Sequence, residues 1–516
     1  MTVGSDAGYW GLIADAARRG SNRALLADDH GRSLTARQFH DAACATAAAF
    51  AGRGIGAGTV VSWQLPTTLE ATIVMAALAR LGAVQNPIIP ILREHEVGFI
   101  TAQLSSEFLV VPEFWHEFDY GGLARSLSAG RSFEVITVDL ATPPATGEIR
   151  LPSADADSLP PPPDPTGDAR WIYYSSGTTS SPKGIRHTDA SVMAPAVGLV
   201  NKIGITDSDV DPVAFPIAHI GGAVMLAAAL LTGMRLALFE VFDPATTPLS
   251  MAAHNPTFLG MATPFFVAFL EAQQNHGDEP LFPYARGGLA GGAPITAELG
   301  RQVRETLGLP GIANAWGLTE FPVATSPSLT AAPEVLDHTV GSPGPGVSVR
   351  VVGDGEIELA AGQEGELRLK GPQCFLGYAD GALDADAFDA DGWLRTGDLG
   401  MVDADGNVRV TGRIKDAIIR NAENVSALEV ENALATHPAV ADVAVIGVPD
   451  PRTGERVCAV VVPASGDGVS LDSLVQHCRS QGLSRYKHPE RLVIVDALPR
   501  NQFGKVIKKD LRAAFG

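Results

Sequence analysis

The run YYSSGTTSSPKG at 173–184 holds the densest set of groups able to do chemistry. Its residues Ser175, Ser176, Gly177, Thr178 and Thr179 follow a β-rich stretch. They give a loop whose backbone N–H groups and hydroxyls can wrap phosphate oxygens, and Lys183 adds a positive charge. The same composition describes a flexible Ser/Thr linker. A Walker A loop is excluded, because G-x-x-x-x-G-K-[ST] cannot be threaded through the segment. A second candidate, GGLAGGAPI at 287–295, is too rich in small residues for a helix interior, and its glycines allow a flat ligand to approach the backbone closely. Other positions carry two readings when taken alone. His219 in PIAHIGG is a ligand contact or a satisfied structural histidine. WGLTE at 316–320 is a site or a helix start capped by Thr319. Asp398 in RTGDLG is an acceptor carboxylate or a turn residue, and Lys505 in NQFGKVIKK is a catalytic amine or a solvated charge.

The elements that must hold these residues alternate in type. ATIVMAALARLGA (71–83) reads as an apolar helix, FEVITVDL (133–140) and RWIYYSS (170–176) as strands, and GGAVMLAAALLTGMRLALF (221–239) as a buried helix followed by a strand rather than a membrane span. The alternation predicts an α/β architecture. The proline- and aspartate-rich stretch at 152–168 predicts an extended surface connection. From residue 343, PGPGVSVRVV, GEIELA, GELRLKG and GNVRVTG predict a small antiparallel β unit. After GRIKD (412–416) about a hundred residues of α+β follow, so a boundary near 412 divides the chain into a domain of 1–411 and one of 412–516. Lys and Arg total 38 against 58 Asp and Glu, a net charge of −20, which leaves no general footprint for nucleic acid or anionic lipid. Four scattered cysteines with no C-x-x-C pair, and an N-terminus without a basic-then-apolar pattern, predict a cytoplasmic protein with no disulfide framework.

Taken in order along the chain, these segments resemble the adenylate-forming superfamily of acyl-CoA ligases, luciferases and peptide-synthetase adenylation domains. The resemblance spans essentially the whole sequence. It implies a large N-terminal domain of sheets layered with helices plus a small β unit, and a smaller mobile α+β C-terminal domain. It places the loop 175–179 and Lys183 on the phosphates of ATP, with Thr178 and Glu320 toward Mg²⁺. It places Gly291, Gly292 and Ala293 beside adenine, Trp316 stacked on adenine where tyrosine is commoner, and Thr319 on a phosphate. Asp398 would bind the ribose hydroxyls, Arg413 ribose or phosphate, Lys415 would be the hinge, and Lys505 the catalytic lysine. His219 would line the acyl entrance. GELRLKGPQCFLGY (365–378) is assigned to packing.

Such an enzyme converts a carboxylate, a poor electrophile, to a mixed anhydride with AMP and then transfers the acyl group to the CoA thiol. The pocket candidates Ala223, Val224, Met225, Leu289, Ala290 and Ala315 are apolar or small and favour an uncharged acyl group of moderate bulk. AFPIAHIGG offers no aspartate to pair a substrate ammonium, which argues against amino acids. QNPIIPILREHEVGF resembles bacterial ligases for alicyclic, steroid-derived or medium-chain acids. Asn421 and Ala422 replace the paired glycines of many relatives, side chains that could narrow a pantetheine tunnel. The expected substrates are a hydrophobic carboxylic acid, ATP and CoA, with no nucleic acid and no membrane span; a homodimer is left open. The alternatives are loading of a carrier-protein pantetheine, an oxidative luciferase-type enzyme, and a nucleotide-binding module without catalysis.

Overall fold

The computed structural model describes residues 8–131, 133–140, 147–165, 167–175, 182–293, 295–420, 423–464, 468–501 and 504–516, with the backbone alone at 423 and 424. The apolar helix expected at 71–83 is Leu69–Leu81. Thr68 starts it by accepting from the Ala71 N–H, and Gly82 ends it in the left-handed conformation. Apolar but for Glu70, Thr72 and Arg80, it is buried at every position except Ala79. It forms the crossover between the parallel neighbours Val60–Trp63 and Val84–Pro87, which parallel pairing requires. The stretch at 221–239 likewise forms the core helix Ile220–Thr232 and the strand Arg235–Leu238. No helix among the described residues is long and apolar enough to cross a membrane.

The molecule is mixed α/β, with a large N-terminal domain and a smaller C-terminal one. A seven-stranded sheet runs in the order Gly377–Tyr378, Lys183–His187, Trp171–Ser175, Val84–Pro87, Val60–Trp63, Phe108–Pro112, Glu134–Val138. A five-stranded sheet runs Phe258–Met261, Gly287–Gly291, Ile312–Leu318, Phe321–Ser326, Ser342–Pro343, the first three parallel and the rest antiparallel. Val210–Val213, Arg235–Leu238, Ala24–Asp28 and Ser33–Thr35 form a further sheet.

The antiparallel β unit consists of Ser348–Val352, Gly365–Lys370, Leu394–Val402 and Val408–Arg413. GEIELA, expected as a strand, is not one: Asp354–Glu356 is a 3-10 turn with Gly355 at φ 69°, and a single bridge joins Val352 to Glu358. The charge pattern explains the departure, because Glu356 turns back to ion-pair with Arg368 and Arg395. The chain leaves this unit after Arg413, passes through the turn Ile414–Asp416, and enters the C-terminal sheet at Ile418–Arg420. That sheet adds Glu423–Val425, Val440–Asp450, Gly454–Pro463 and Arg491–Ile494, flanked by helices Ala427–Leu434, Leu471–Ser480 and Lys508–Phe515. The short pairing of 418–420 with 423–425 and the last helix have no counterpart in the sequence reading; runs of three strand residues are too short for periodicity to reveal.

Candidate active site

The WGLTE segment is not a helix start. Trp316 lies on Ile312–Leu318, Thr319 and Glu320 form the turn, and Phe321–Ser326 returns antiparallel. Gly317 permits this closure, because a Cβ there would lie 2.5 Å from the Val323 amide nitrogen. Neighbouring elements fix the turn on every side. The Trp316 indole N–H donates to Asp398 Oδ2 at 2.8 Å. His187 Nε2 meets the Thr319 carbonyl at 2.7 Å, and its Nδ1 lies 2.9 Å from the Ser191 hydroxyl. Burial pushes the His187 pKa down to about 4, so the ring is neutral; a carbonyl can only accept, so the proton sits on Nε2. The Phe375 N–H donates to the Glu320 carbonyl at 2.9 Å, and the Tyr378 hydroxyl donates to Glu320 Oε1 at 2.9 Å.

Lys183 opens its strand directly across from Ser175, so one backbone pairing clamps both ends of the hydroxyl loop. The Lys183 ammonium lies 5.2 Å from the centroid of the Tyr378 ring. Tyr378 therefore touches both the lysine and the carboxylate. Ser176, Gly177, Thr178 and Thr179 lie outside the described residues.

Asp398 occupies a strand, not a turn, and pairs in register with Arg413. Arg413 Nε approaches Asp398 Oδ1 to 2.9 Å as an ion pair, yet Oδ1 receives no aligned hydrogen bond among the described residues. A buried carboxylate oxygen with spare lone pairs is a fitting acceptor for hydroxyl donors. Lys505 reaches the same place from the C-terminal domain. Its backbone N–H donates to Asn501 Oδ1 at 3.0 Å, its carbonyl accepts from the Asn501 N–H, and the preceding Gly504 sits at φ +72°. Burial first, and then the positive Arg413 and Lys415, push the Lys505 pKa down to about 8, while Asp398 and Asp416 pull it back up. Lys415 is itself lowered, chiefly by burial and then by Arg413. Asp416 beside it is tied to Arg512 at 2.7 Å.

Gly291 pairs with Ala315, where a Cβ would lie 3.3 Å from the Ala315 carbonyl oxygen, and Gly292 at φ +77° faces open space; Ala293 beside them is half-buried. Asn314, two residues before Trp316, is buried with its Oδ1 unpartnered among the described residues. An exocyclic amine would satisfy it. His219 Nδ1 accepts from the Gly221 N–H at 3.1 Å and so caps Ile220–Thr232, while burial lowers its pKa to about 4. Of the pocket candidates, Ala223, Val224, Met225 and Leu289 belong to one packed core cluster and Ala290 to a second, whereas Ala315 stays partly exposed beside Gly291. The structure thus links Trp316 to Asp398 and Arg413, and Glu320 to Lys183 through Tyr378, on either side of the Thr319 turn, while Lys415 and Lys505 interact electrostatically with Asp398 and Arg413. It adds the buried Asn314, and also His187 and Tyr378, whose pairings with Thr319 and Glu320 no local spacing announces.

A family model described as AMP-binding enzyme matches residues 13–379, and one described as AMP-binding enzyme C-terminal domain matches 429–505. The chain belongs to this adenylate-forming enzyme family, in its acyl-CoA synthetase branch. It is 31% identical to a medium-chain fatty-acid–CoA ligase of Escherichia coli (strain K12), covering 98% of this chain and 91% of that one. It is 32% identical to a salicyl-AMP ligase / salicyl-S-ArCP synthetase of Mycobacterium tuberculosis, covering 99% and 92%. ATP-bound MatB from Rhodopseudomonas palustris superposes with a TM-score of 0.87 at 27% identity, over 99% of both chains.

Proposed function

We propose that this protein joins a hydrophobic carboxylic acid to AMP at the expense of ATP and then passes the acyl group to CoA, releasing AMP and pyrophosphate. The reading rests above all on Lys505, a buried amine of the C-terminal domain that feels the charges of Asp398, Arg413 and Lys415 and follows Gly504, which packs against Pro264 of the large domain. Asn314 and the glycines at 291 and 292 suit adenine, Asp398 suits the ribose, and Lys183 suits the phosphates. Mg²⁺ commonly takes one or two carboxylates and completes its shell with substrate phosphates, so Glu320, held by Tyr378, suffices as the protein donor. When bound there it would neutralise phosphate charge.

In the first half-reaction a substrate carboxylate oxygen attacks the ATP α-phosphorus in line, the bond to the bridging oxygen breaks, and pyrophosphate leaves. Lys505 holds the attacking and bridging oxygens, and Lys183 and Thr319 hold phosphate oxygens. In the second, the C-terminal domain turns about Lys415 and withdraws Lys505. The sulfur of the CoA thiolate attacks the acyl carbonyl, and AMP departs with the electron pair. The test is a panel of carboxylic acids scored for pyrophosphate release with and without CoA; cleavage of ATP to ADP in every trial would sink the reading. The similarity to the salicyl-S-ArCP synthetase favours a second acceptor, a carrier-protein pantetheine. Exchanging CoA for a pantetheinylated carrier in the thioester assay separates the two.

A further inference from the structure

We propose that Trp316 is the positioning residue that sets ribose recognition, by orienting Asp398 through its indole N–H. This rests on the ATP-dependent reading above and deepens it.

The two residues come from different sheets. Trp316 lies on Ile312–Leu318 of the five-stranded sheet, and Asp398 on Leu394–Val402 of the antiparallel unit. A hydrogen bond of 2.8 Å from Nε1 to Oδ2 joins them. Asp398 is 3% exposed, so water cannot freely take over either oxygen. An ionised carboxylate offers about four acceptor positions. The indole takes one on Oδ2, and this fixes the plane of the carboxylate. Oδ1 is then left against Arg413 Nε at 2.9 Å with no aligned hydrogen bond among the described residues. A buried carboxylate oxygen held in one orientation and short of donors calls for a ligand that brings O–H groups, and a vicinal diol brings two.

The indole is matched to this task in a way that phenylalanine is not. Both present an aromatic face, but only the indole carries an edge donor. Without it the Asp398 side chain is free to turn toward Arg413, and the acceptor lone pairs leave the diol. Trp316 therefore discriminates ribonucleotides from deoxyribonucleotides without itself touching a hydroxyl.

The test measures equilibrium binding of ATP, 2′-deoxy-ATP and 3′-deoxy-ATP to the full-length protein and to Trp316→Phe. Wild type is expected to prefer ATP by about tenfold or more, the scale of one hydrogen bond to a charged group. In Trp316→Phe that preference falls toward unity, whatever happens to affinity as a whole. Because the ratio is taken within one protein, partial unfolding cancels. An unchanged ratio in the variant overturns the proposal. A wild type that binds no ATP overturns instead the reading on which it rests. A readout on the unaltered protein covers a variant that does not fold: the Trp316 indole N–H resonance should move with ATP and markedly less with 2′,3′-dideoxy-ATP. Equal displacement by both nucleotides also overturns the proposal.

Discussion

Gly504 meets Pro264 so closely that a Cβ on the glycine would fall 2.5 Å from the proline Cγ and 2.7 Å from its Cδ. Pro264 is the second residue of the helix Thr263–His276 of the large domain, so Gly504, next to Lys505, is seated against that domain here. The glycine is also at φ +72°, which an L side chain adopts at a cost of about 1–2 kcal/mol. Gly504→Ala should therefore slow pyrophosphate release by about tenfold or more. Conversion of a supplied acyl-adenylate to thioester should be largely spared, since Lys505 is withdrawn in that step. Equal loss in both partial reactions would show that the seat has no such selectivity.

Lys505→Ala is expected to abolish pyrophosphate release and leave thioester formation from a supplied acyl-adenylate largely intact. Burial holds the lysine near a pKa of about 8, below its ordinary 10.5. The protonated form is the one that holds anionic oxygens, so kcat/KM for ATP should decline as pH rises through about 8; that parameter reports the free enzyme. Seating costs most below pH 8, where the buried amine must keep its proton, and that cost is relieved between about 8 and 10.5. A pH profile flat from 7 to 9.5 would remove the assignment, and Lys505→Arg should displace the decline beyond that range.

The sequence context of Tyr378 assigns it to packing; it does lie in a buried core cluster, and it also holds Glu320 and lies under Lys183. Tyr378→Phe keeps the ring and loses the hydroxyl. The Mg²⁺ concentration needed for half-maximal ATP binding should rise by about tenfold, the scale of a hydrogen bond to a charged group, with little change in melting temperature. Titration calorimetry at several Mg²⁺ concentrations decides it. A large fall in stability with unchanged Mg²⁺ demand would leave Tyr378 with packing alone.

His187 is fully buried and neutral, with a pKa of about 4 against 6.5 when unfolded. Between those values the unfolded chain binds a proton that the folded one does not. Stability is thus complete above 6.5 and lost as pH falls, by about 2 kcal/mol from this residue between pH 7 and 5. Denaturant unfolding at the two pH values checks it. His187→Gln should weaken the pH dependence and, by loosening the Thr319 carbonyl, lower the rate of pyrophosphate release. An identical pH dependence in the variant would contradict the assignment.

Asn421 lies outside the described residues. The family resemblance, which puts glycine at this place in many members, gives a clear expectation: Asn421→Gly should speed thioester formation more than adenylation. Unchanged partial rates would mean that side chains in this loop do not narrow the tunnel.

Much of this molecule is written locally. Thr68 and Gly82 mark the ends of an apolar helix, the small residues at 287–291 form a mostly buried strand, and the ordered segments from 173 to 505 identify the family. These features depend on residues close together in the chain, where propensity, capping and spacing act. The contacts that finish the site do not. His187 reaches Thr319, Trp316 reaches Asp398, and Gly504 reaches Pro264 across separations of 132, 82 and 240 residues. His219 shows the same limit from the other side: its sequence neighbours suggest a ligand contact, and folding also gives it a helix to cap. The sequence by itself determined the family, the α/β class and the residue types available for binding a nucleotide. The tertiary structure alone decided which donor meets which acceptor, because burial and orientation arise only when separate sheets pack together.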